Sequence, residues 1–409
     1  MRRNKLSTIV ISICLILALI SLMPACAGPT ATPTPTPTPT PKEPIKIGAL
    51  LPITGPFAMW GSWFERSHKF ALDEANWEVA GRPIELIIED EGGYDVSVMT
   101  EKLRKLVEAD KVDVMTGPFF GSMRPAALPY LAEHRIVAVD NHCAERPELQ
   151  YDYSFDGSQC YIDMNYYQGK YAYEAMGIRT VSTMGWDYSC PRDFIEGFVD
   201  GFTEAGGTVV QQQWTEMGAT DYTPYLTALK PADALVTALC GGDTSVRALT
   251  QADELGIREK MKGWFVLGTA ELESSELRDQ LGDKGIGVVY AGPWSPLLDT
   301  PINKEFVEKF KAKFGIEPSC WDAVKYEATK VMLAALEATG GDTSGDKLKK
   351  ALLELKIELP SGPFSFDQGR MGVRNNYIMQ IQKVNGQYIG VIIKTITGTH
   401  SRAQEYPYP

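Results

Sequence analysis

Ser122 stands where an apolar run, VDVMTGP (112–118), gives way to a helical pattern, SMRPAALPYLAEH (122–134), with Pro125 in its first turn. A serine there is a favoured helix N-cap, and the N–H groups of a helix start attract anions. The chemistry offered is the grip of a carboxylate. In MGWDYSCPRDF, after another apolar run, Trp186 and Tyr188 offer flat stacking surfaces, with the alternative that one of the two is ordinary core. Catalysis finds less support. Cys190 with His142 is the only nucleophile–base pair the reading supplies, and neither a GxSxG elbow, an HExxH helix nor a phosphate loop is found. GIGVVY (285–290) lacks the third glycine of a dinucleotide fingerprint and leads into a strand. The four histidines are dispersed, and neither a metal nor another cofactor is expected.

The elements that must hold these residues alternate. Strands are predicted at 45–52, 84–90, 112–118 and 136–141, separated by helices at 62–77, 96–110 and 122–134. A second series runs from 163, with strands at 180–186, 208–214, 232–239, 263–269 and 287–293 and helices at 163–176, 192–205, 221–229 and 244–255. Helical stretches follow at 304–314 and 321–339, and a β segment closes the chain at 375–395 around an Asn-Gly turn suited to a hairpin. Apolar strands joined through helices imply right-handed crossovers and parallel sheets. Ligands of such sheets bind beyond the carboxyl ends of the strands, where the candidate residues lie.

The N-terminus carries Arg2, Arg3 and Lys5 before an apolar run from Leu6 to Met23, a secretory signal pattern. Residues 1–25 read as the signal peptide and Met23-Pro24-Ala25-Cys26 as a lipobox-like end, with Cys26 the lipidation site; an uncleaved anchor is the alternative. Residues 26–43 are a Thr-Pro linker without apolar content, a polyproline-II rod at about 3 Å per residue. The body is acidic. The chain has 40 basic and 52 acidic residues for a net charge of −12, and cleavage would make it three units more negative. That charge disfavours nucleic acid. Beyond Cys26 the cysteines are Cys143, Cys160, Cys190, Cys240 and Cys320, without CxxC or zinc spacing; Cys143–Cys160 is a conceivable disulfide.

Taken in order, IKIGALLPITGPFAMWG, EDEGG, KLVEADKVDVMTGPFFGSMRPAALP, RPELQ, DFIEGFVDGFTEAGGTVV and QADELGI resemble the branched-chain amino-acid type of extracellular solute-binding protein, over nearly all of the chain past Pro44. The resemblance implies an α/β fold of two Rossmann-like lobes joined by a multi-strand hinge, the type I periplasmic binding protein. Lobe 1 would span 44–160 with 293–365 returning to it, and lobe 2 would span 161–292 with 375–400 returning. The resemblance also assigns roles. Ser122 would bind the ligand carboxylate, and Trp60 would face the ligand or pack locally. Asn141, His142 and Glu145 occupy the loop that gives polar contacts in the family, but without its threonine. Cys190 falls at the family's tyrosine by strict counting, with Tyr188 two residues earlier as its replacement. Asp243 or Thr244 would supply a second-lobe contact, Glu271 would meet an ammonium group, and Tyr94 could reach the cleft. The implied protein is no enzyme. It would deliver a branched-chain or aromatic amino acid, or a related acid or amide, to ABC permease and ATPase subunits, lipid-anchored to the outer face of the cell membrane or periplasmic. A sensory receptor domain is the alternative, and an extracellular α/β enzyme a more distant one.

Overall fold

The computed structural model describes residues 42–93, 95–140, 151–157, 161–239, 244–268, 272 and 274–399. Two sheets organise them. In the first, β1 (Ile45–Leu51), β3 (Arg82–Asp90), β4 (Val114–Thr116), β5 (Val137–Asp140) and β6 (Ser154–Asp156) run parallel, and the short β2 (Glu78–Val79) pairs antiparallel with β3 at the edge. The order is β2-β3-β1-β4-β5-β6. β1 is buried at six of its seven positions, as expected of a strand covered on both faces.

The second sheet has a parallel part, β8-β7-β9-β10-β11, formed by β7 (Thr180–Trp186), β8 (Thr208–Thr215), β9 (Ala234–Ala238), β10 (Gly263–Val266) and β11 (Val288–Gly292). It continues into the closing β segment and two further strands, β12 (Lys356–Leu359) and β13 (Gly362–Phe366), that the sequence reading did not foresee. β14 (Gly372–Val384) lies antiparallel against β11, then come β13 and β12, while β15 (Gln387–Thr399) pairs with β14. The β14–β15 turn is Asn385-Gly386, with φ of +51° and +83°. It is the tight hairpin expected of that dipeptide, and Val384 pairs with Gln387 across it.

Helices cover both sheets. Against the first lie α1 (Ala58–Glu74), α2 (Val96–Arg104) and α3 (Arg124–Glu133). Against the second lie α4 (Tyr161–Glu174), α5 (Ser189–Glu204), α6 (Thr223–Thr227), α7 (Thr244–Glu254) and α8 (Ser275–Leu281). α9 (Pro301–Phe314), α10 (Cys320–Ala338) and α11 (Gly345–Glu354) return to the first sheet. Phe306 and Phe310 of α9 meet Phe70 of α1, and Val331, Leu336, Leu348 and Leu352 share a core with Ile45, Val114 and Val137. Ser319 and Asp322 close a reciprocal capping box at the start of α10. The chain therefore passes between the sheets after β6, after β11, and again through β12 and β13, which pack Leu359, Phe364 and Phe366 into the first sheet's core while pairing, through β13, with β14 of the second sheet. Among the described residues no helix is long and apolar enough to cross a membrane.

Candidate functional site

Strand order locates the site before any side chain is considered. In the first sheet the chain moves from β1 to β3 on one side and then to β4 on the other, so the topological switch lies between β1 and β4. In the second, β8 and β9 flank β7, and the switch lies between β7 and β9. Crevices form at the carboxyl ends of the strands at such points. The loop after β1 leads to Trp60 and the loop after β4 to Ser122. The loop after β7 holds Tyr188, and Thr244 opens α7 after β9.

Two of these side chains meet. Tyr188 Oη lies 3.3 Å from Ser122 Oγ, joining the switch-point loops of the two sheets. Ser122 is exposed and Tyr188 half-buried. Ser122 does not cap α3. It is the middle residue of a 3-10 turn, Gly121–Met123, that leads into α3, whose N-cap position is Met123. Its hydroxyl therefore faces Tyr188 instead of closing its own helix. Tyr188 sits at the N-cap position of α5 with an extended backbone and without a side-chain capping bond. Cys190 lies two residues into α5, half-buried against a cluster containing Phe194, Ile195 and Phe198. Trp186 is core: it is 6 % exposed and its indole N–H donates to Tyr222 Oη at 3.1 Å.

The Gly117–Ser122 loop is fixed from beneath. Gly117 has a φ of +81°, and a Cβ there would come within 2.2 Å of the Leu50 carbonyl oxygen, so only glycine allows this approach. The Phe119 N–H donates to Glu91 Oε2 at 2.7 Å, and Arg124 donates to the Pro118 carbonyl at 3.4 Å. Beside them Lys325 Nζ lies 2.5 Å from Asp140 Oδ1, both 1 % exposed, and Arg124 is 3.8 Å from Asp140 Oδ2. Burial of such charges demands partners, which this group supplies mutually. Burial pushes the Glu91 carboxyl up to about 8, with Asp140 and Asp90 raising it and Lys325 and the Phe119 N–H opposing. Burial also lowers His68 from 6.5 to about 4, aided by Lys325. The His68 Nδ1 is 2.7 Å from Thr329 Oγ1, which also lies 3.2 Å from the Lys325 carbonyl.

Rings floor the loop. Phe119 contacts Trp60, Phe64, Phe120 and Trp321 at centroid distances of 5.3, 4.7, 5.2 and 5.4 Å, and Phe57 meets Phe120 at 4.9 Å. Trp60 is 7 % exposed, so most of its ring packs locally, while its indole Nε1 has no partner among the described residues. Gly61 beside it brings α1 against the chain, since a Cβ there would meet the Pro52 carbonyl at 2.2 Å. Asn141, His142, Glu145, Asp243, Glu271, Tyr94 and Cys26 lie outside the described residues, as do Cys143 and Cys160. Sequence reasoning missed Glu91, Arg124, Asp140 and Lys325. EDEGG marked a strand end without showing that its last acid turns inward. A concavity of about 520 Å³ lined by Ile357, Phe364, Val373 and Asn375 contains none of the candidate residues.

Comparison with known proteins follows the same lines. The family model described as periplasmic binding protein matches residues 44–387. The Leu/Ile/Val-binding protein homolog 6 of Brucella melitensis is 24% identical over 358 residues, 86% of this chain and 91% of its own. An ABC transporter substrate-binding protein from Sphaerobacter thermophilus superposes with a TM-score of 0.82 at 26% identity, covering 87% of this chain and 98% of the other. A solute-binding protein of an ABC transporter from Rhodopseudomonas palustris, in complex with 3,4-dihydroxybenzoic acid, has a TM-score of 0.81 at 26% identity and covers 88% of this chain and 99% of the other.

Proposed function

Because the chain belongs to the periplasmic binding protein family, of the branched-chain amino-acid type, we propose that it captures a small carboxylate-bearing solute between two lobes and delivers it unchanged to an ABC importer. One lobe comprises 44–160 and 293–365, the other 161–292 and 375–400. The family is extracytoplasmic. In this reading Cys26 carries the lipid, and the Thr-Pro rod of 26–43 lifts the receptor off the membrane towards its permease and ATPase partners.

The observation that carries the reading is the approach of Tyr188 to Ser122. Hydroxyls from both switch-point loops stand together, so one small solute can touch both halves. Ser122, at a helix start, takes the carboxylate, and Tyr188 takes the place that strict counting gave to Cys190. The rings around Phe119 favour an apolar or aromatic body. That suits an aromatic acid of the kind bound by the Rhodopseudomonas protein, and equally the branched side chains named for the Brucella protein. Trp60, Asn141, His142, Glu145, Asp243 and Glu271 remain candidate contacts, Glu271 only if the solute carries an amine. No bond is made or broken, and Cys190 has no chemical role.

Thermal-shift and calorimetric titration against benzoate, 4-hydroxybenzoate, 3,4-dihydroxybenzoate, leucine, isoleucine and phenylalanine tests the proposal, since a ligand of the native state raises its stability. At least one acid is expected to bind. Ser122→Ala is expected to weaken it roughly tenfold to a hundredfold, the worth of a hydrogen bond to a charged group. Silence across the panel, or equal affinity of the Ser122→Ala protein, would sink the assignment.

A further inference from the structure

Glu91 is fully buried immediately after β3, and its backbone N–H donates to the Leu51 carbonyl at 3.0 Å. It is therefore held at the switch point from which the binding loops leave. Its side chain bridges to the second of those loops: Oε2 accepts the Phe119 N–H at 2.7 Å, three residues before Ser122. Oε1 is buried and has no partner among the described residues. The charged groups that act on it are Lys325 of α10, Asp140 of β5 and Asp90 of β3. The cation is already committed, because Lys325 Nζ lies 2.5 Å from Asp140 Oδ1. An ionised Glu91 would add a third carboxylate beside Asp140 and Asp90, while the nearby cations, Lys325 and Arg124, are both already engaged by Asp140.

Resting on the carboxylate reading above, we propose that Glu91 is a positioning residue that works as a neutral acid: protonated, it holds the Phe119 amide and fixes the Gly117–Ser122 loop to receive a ligand carboxylate; ionised, it turns that loop against anions. The neutral acid keeps one oxygen as acceptor for Phe119 and presents the other as an O–H donor. Its burial keeps the proton in place to about pH 8. Above that point a negative charge appears behind the loop, in surroundings that screen it poorly, and repels an incoming carboxylate. Glutamine has the same shape and the same acceptor but cannot ionise, while leucine has neither property.

The test uses the mature protein with benzoate and leucine as probes, titrated calorimetrically near pH 7 and near pH 9. The wild type is expected to lose about tenfold in affinity across that step. Glu91→Gln should bind equally at both values, and Glu91→Leu weakly at both. A wild type without pH dependence, or a Gln protein as weak as the Leu protein, overturns the role. A second measurement needs no ligand: the Phe119 amide resonance in protein labelled at phenylalanine nitrogen. It should titrate near pH 8 in the wild type and stay still in Glu91→Gln. If neither probe binds, the titration is repeated with whichever acid of the wider panel does; if none of them binds, the carboxylate reading fails while this resonance still decides on Glu91. A moving signal that the Gln variant abolishes supports the proposed hold on the loop, and a static one overturns it.

Discussion

His68 and Glu91 are both enclosed by the first sheet's core, and burial opposes the charged form of each, with opposite consequences for stability. Between about pH 4 and 6.5 the unfolded chain protonates His68 while the native protein does not, so stability rises with pH across that window. Between 4.5 and about 8 the native protein keeps a proton on Glu91 that the unfolded chain has lost. Its contribution is complete below 4.5 and gone once the pH has passed about 8. Acids held low by exposed lysines, such as Asp233 by Lys262 and Asp283 by Lys383, act only at lower pH. Among the described residues, from pH 6.5 to 8 the Glu91 effect is left alone, with a slope of at most about 1.4 kcal/mol per pH unit. Denaturant unfolding should therefore show the wild type losing roughly 2 kcal/mol over this interval, and Glu91→Gln nearly none. Parallel slopes for the two proteins would mean that Glu91 ionises normally.

At the level of elements, α4 and α5 cross through glycines. A Cβ on Gly197 would lie 2.3 Å from the Ile162 carbonyl oxygen, one on Gly201 2.0 Å from that of Tyr166, and one on Gly169 2.1 Å from that of Phe198. The obstacles are backbone, so a methyl group must push the helices apart, at a cost of typically about 1–3 kcal/mol. Gly201→Ala should lower the unfolding midpoint by that amount, whereas Thr203→Ala, exposed on the same helix, should stay within about 0.5 kcal/mol. Because α5 begins beside Tyr188, the Gly201 variant should also bind its solute more weakly. A Gly201→Ala protein of unchanged stability and affinity would show that the crossing tolerates a side chain. Those glycines were visible in DFIEGFVDGFTEAGG, but their purpose was not, since it depends on a helix some thirty residues earlier. Local signals read well: apolar runs gave the long strands, and Asn385-Gly386 gave the hairpin. β6, β12 and β13 escaped because three to five residues with polar members carry little pattern. Of the proposed contacts, Ser122 and Tyr188 could be marked as candidates by their places at strand ends. The Phe119–Glu91 bond joins residues 28 apart in sequence and the Lys325–Asp140 pair residues 185 apart, distances over which periodicity says nothing.

For the molecule as a whole, closure around a solute needs a firm pivot where the chain passes between the sheets. Arg374, near the start of β14, donates to the Gly157 carbonyl at 3.1 Å, just beyond β6, and to Glu327 Oε2 of α10 at 2.7 Å. Glu327 Oε1 accepts the Ser361 N–H at 2.7 Å, and the Ser361 carbonyl accepts from Tyr377 Oη at 2.7 Å. One ion pair, with neither side chain exposed, thus binds the first crossing, the third crossing and the helix that covers the first sheet. In the proposed closure, such a hinge would bend in the segments flanking the pair, and the Tyr188 and Ser122 loops would approach or part about a fixed pivot. Removing one member of a buried pair leaves the other charge poorly compensated, typically at about 3–5 kcal/mol. Glu327→Gln keeps the shape and removes the charge. It should lose stability in that range by denaturant unfolding, and its scattering-derived radius of gyration should no longer contract when a bound acid is added, as the wild type's should. A loss below about 1 kcal/mol with normal contraction would place the pivot elsewhere along the three crossings.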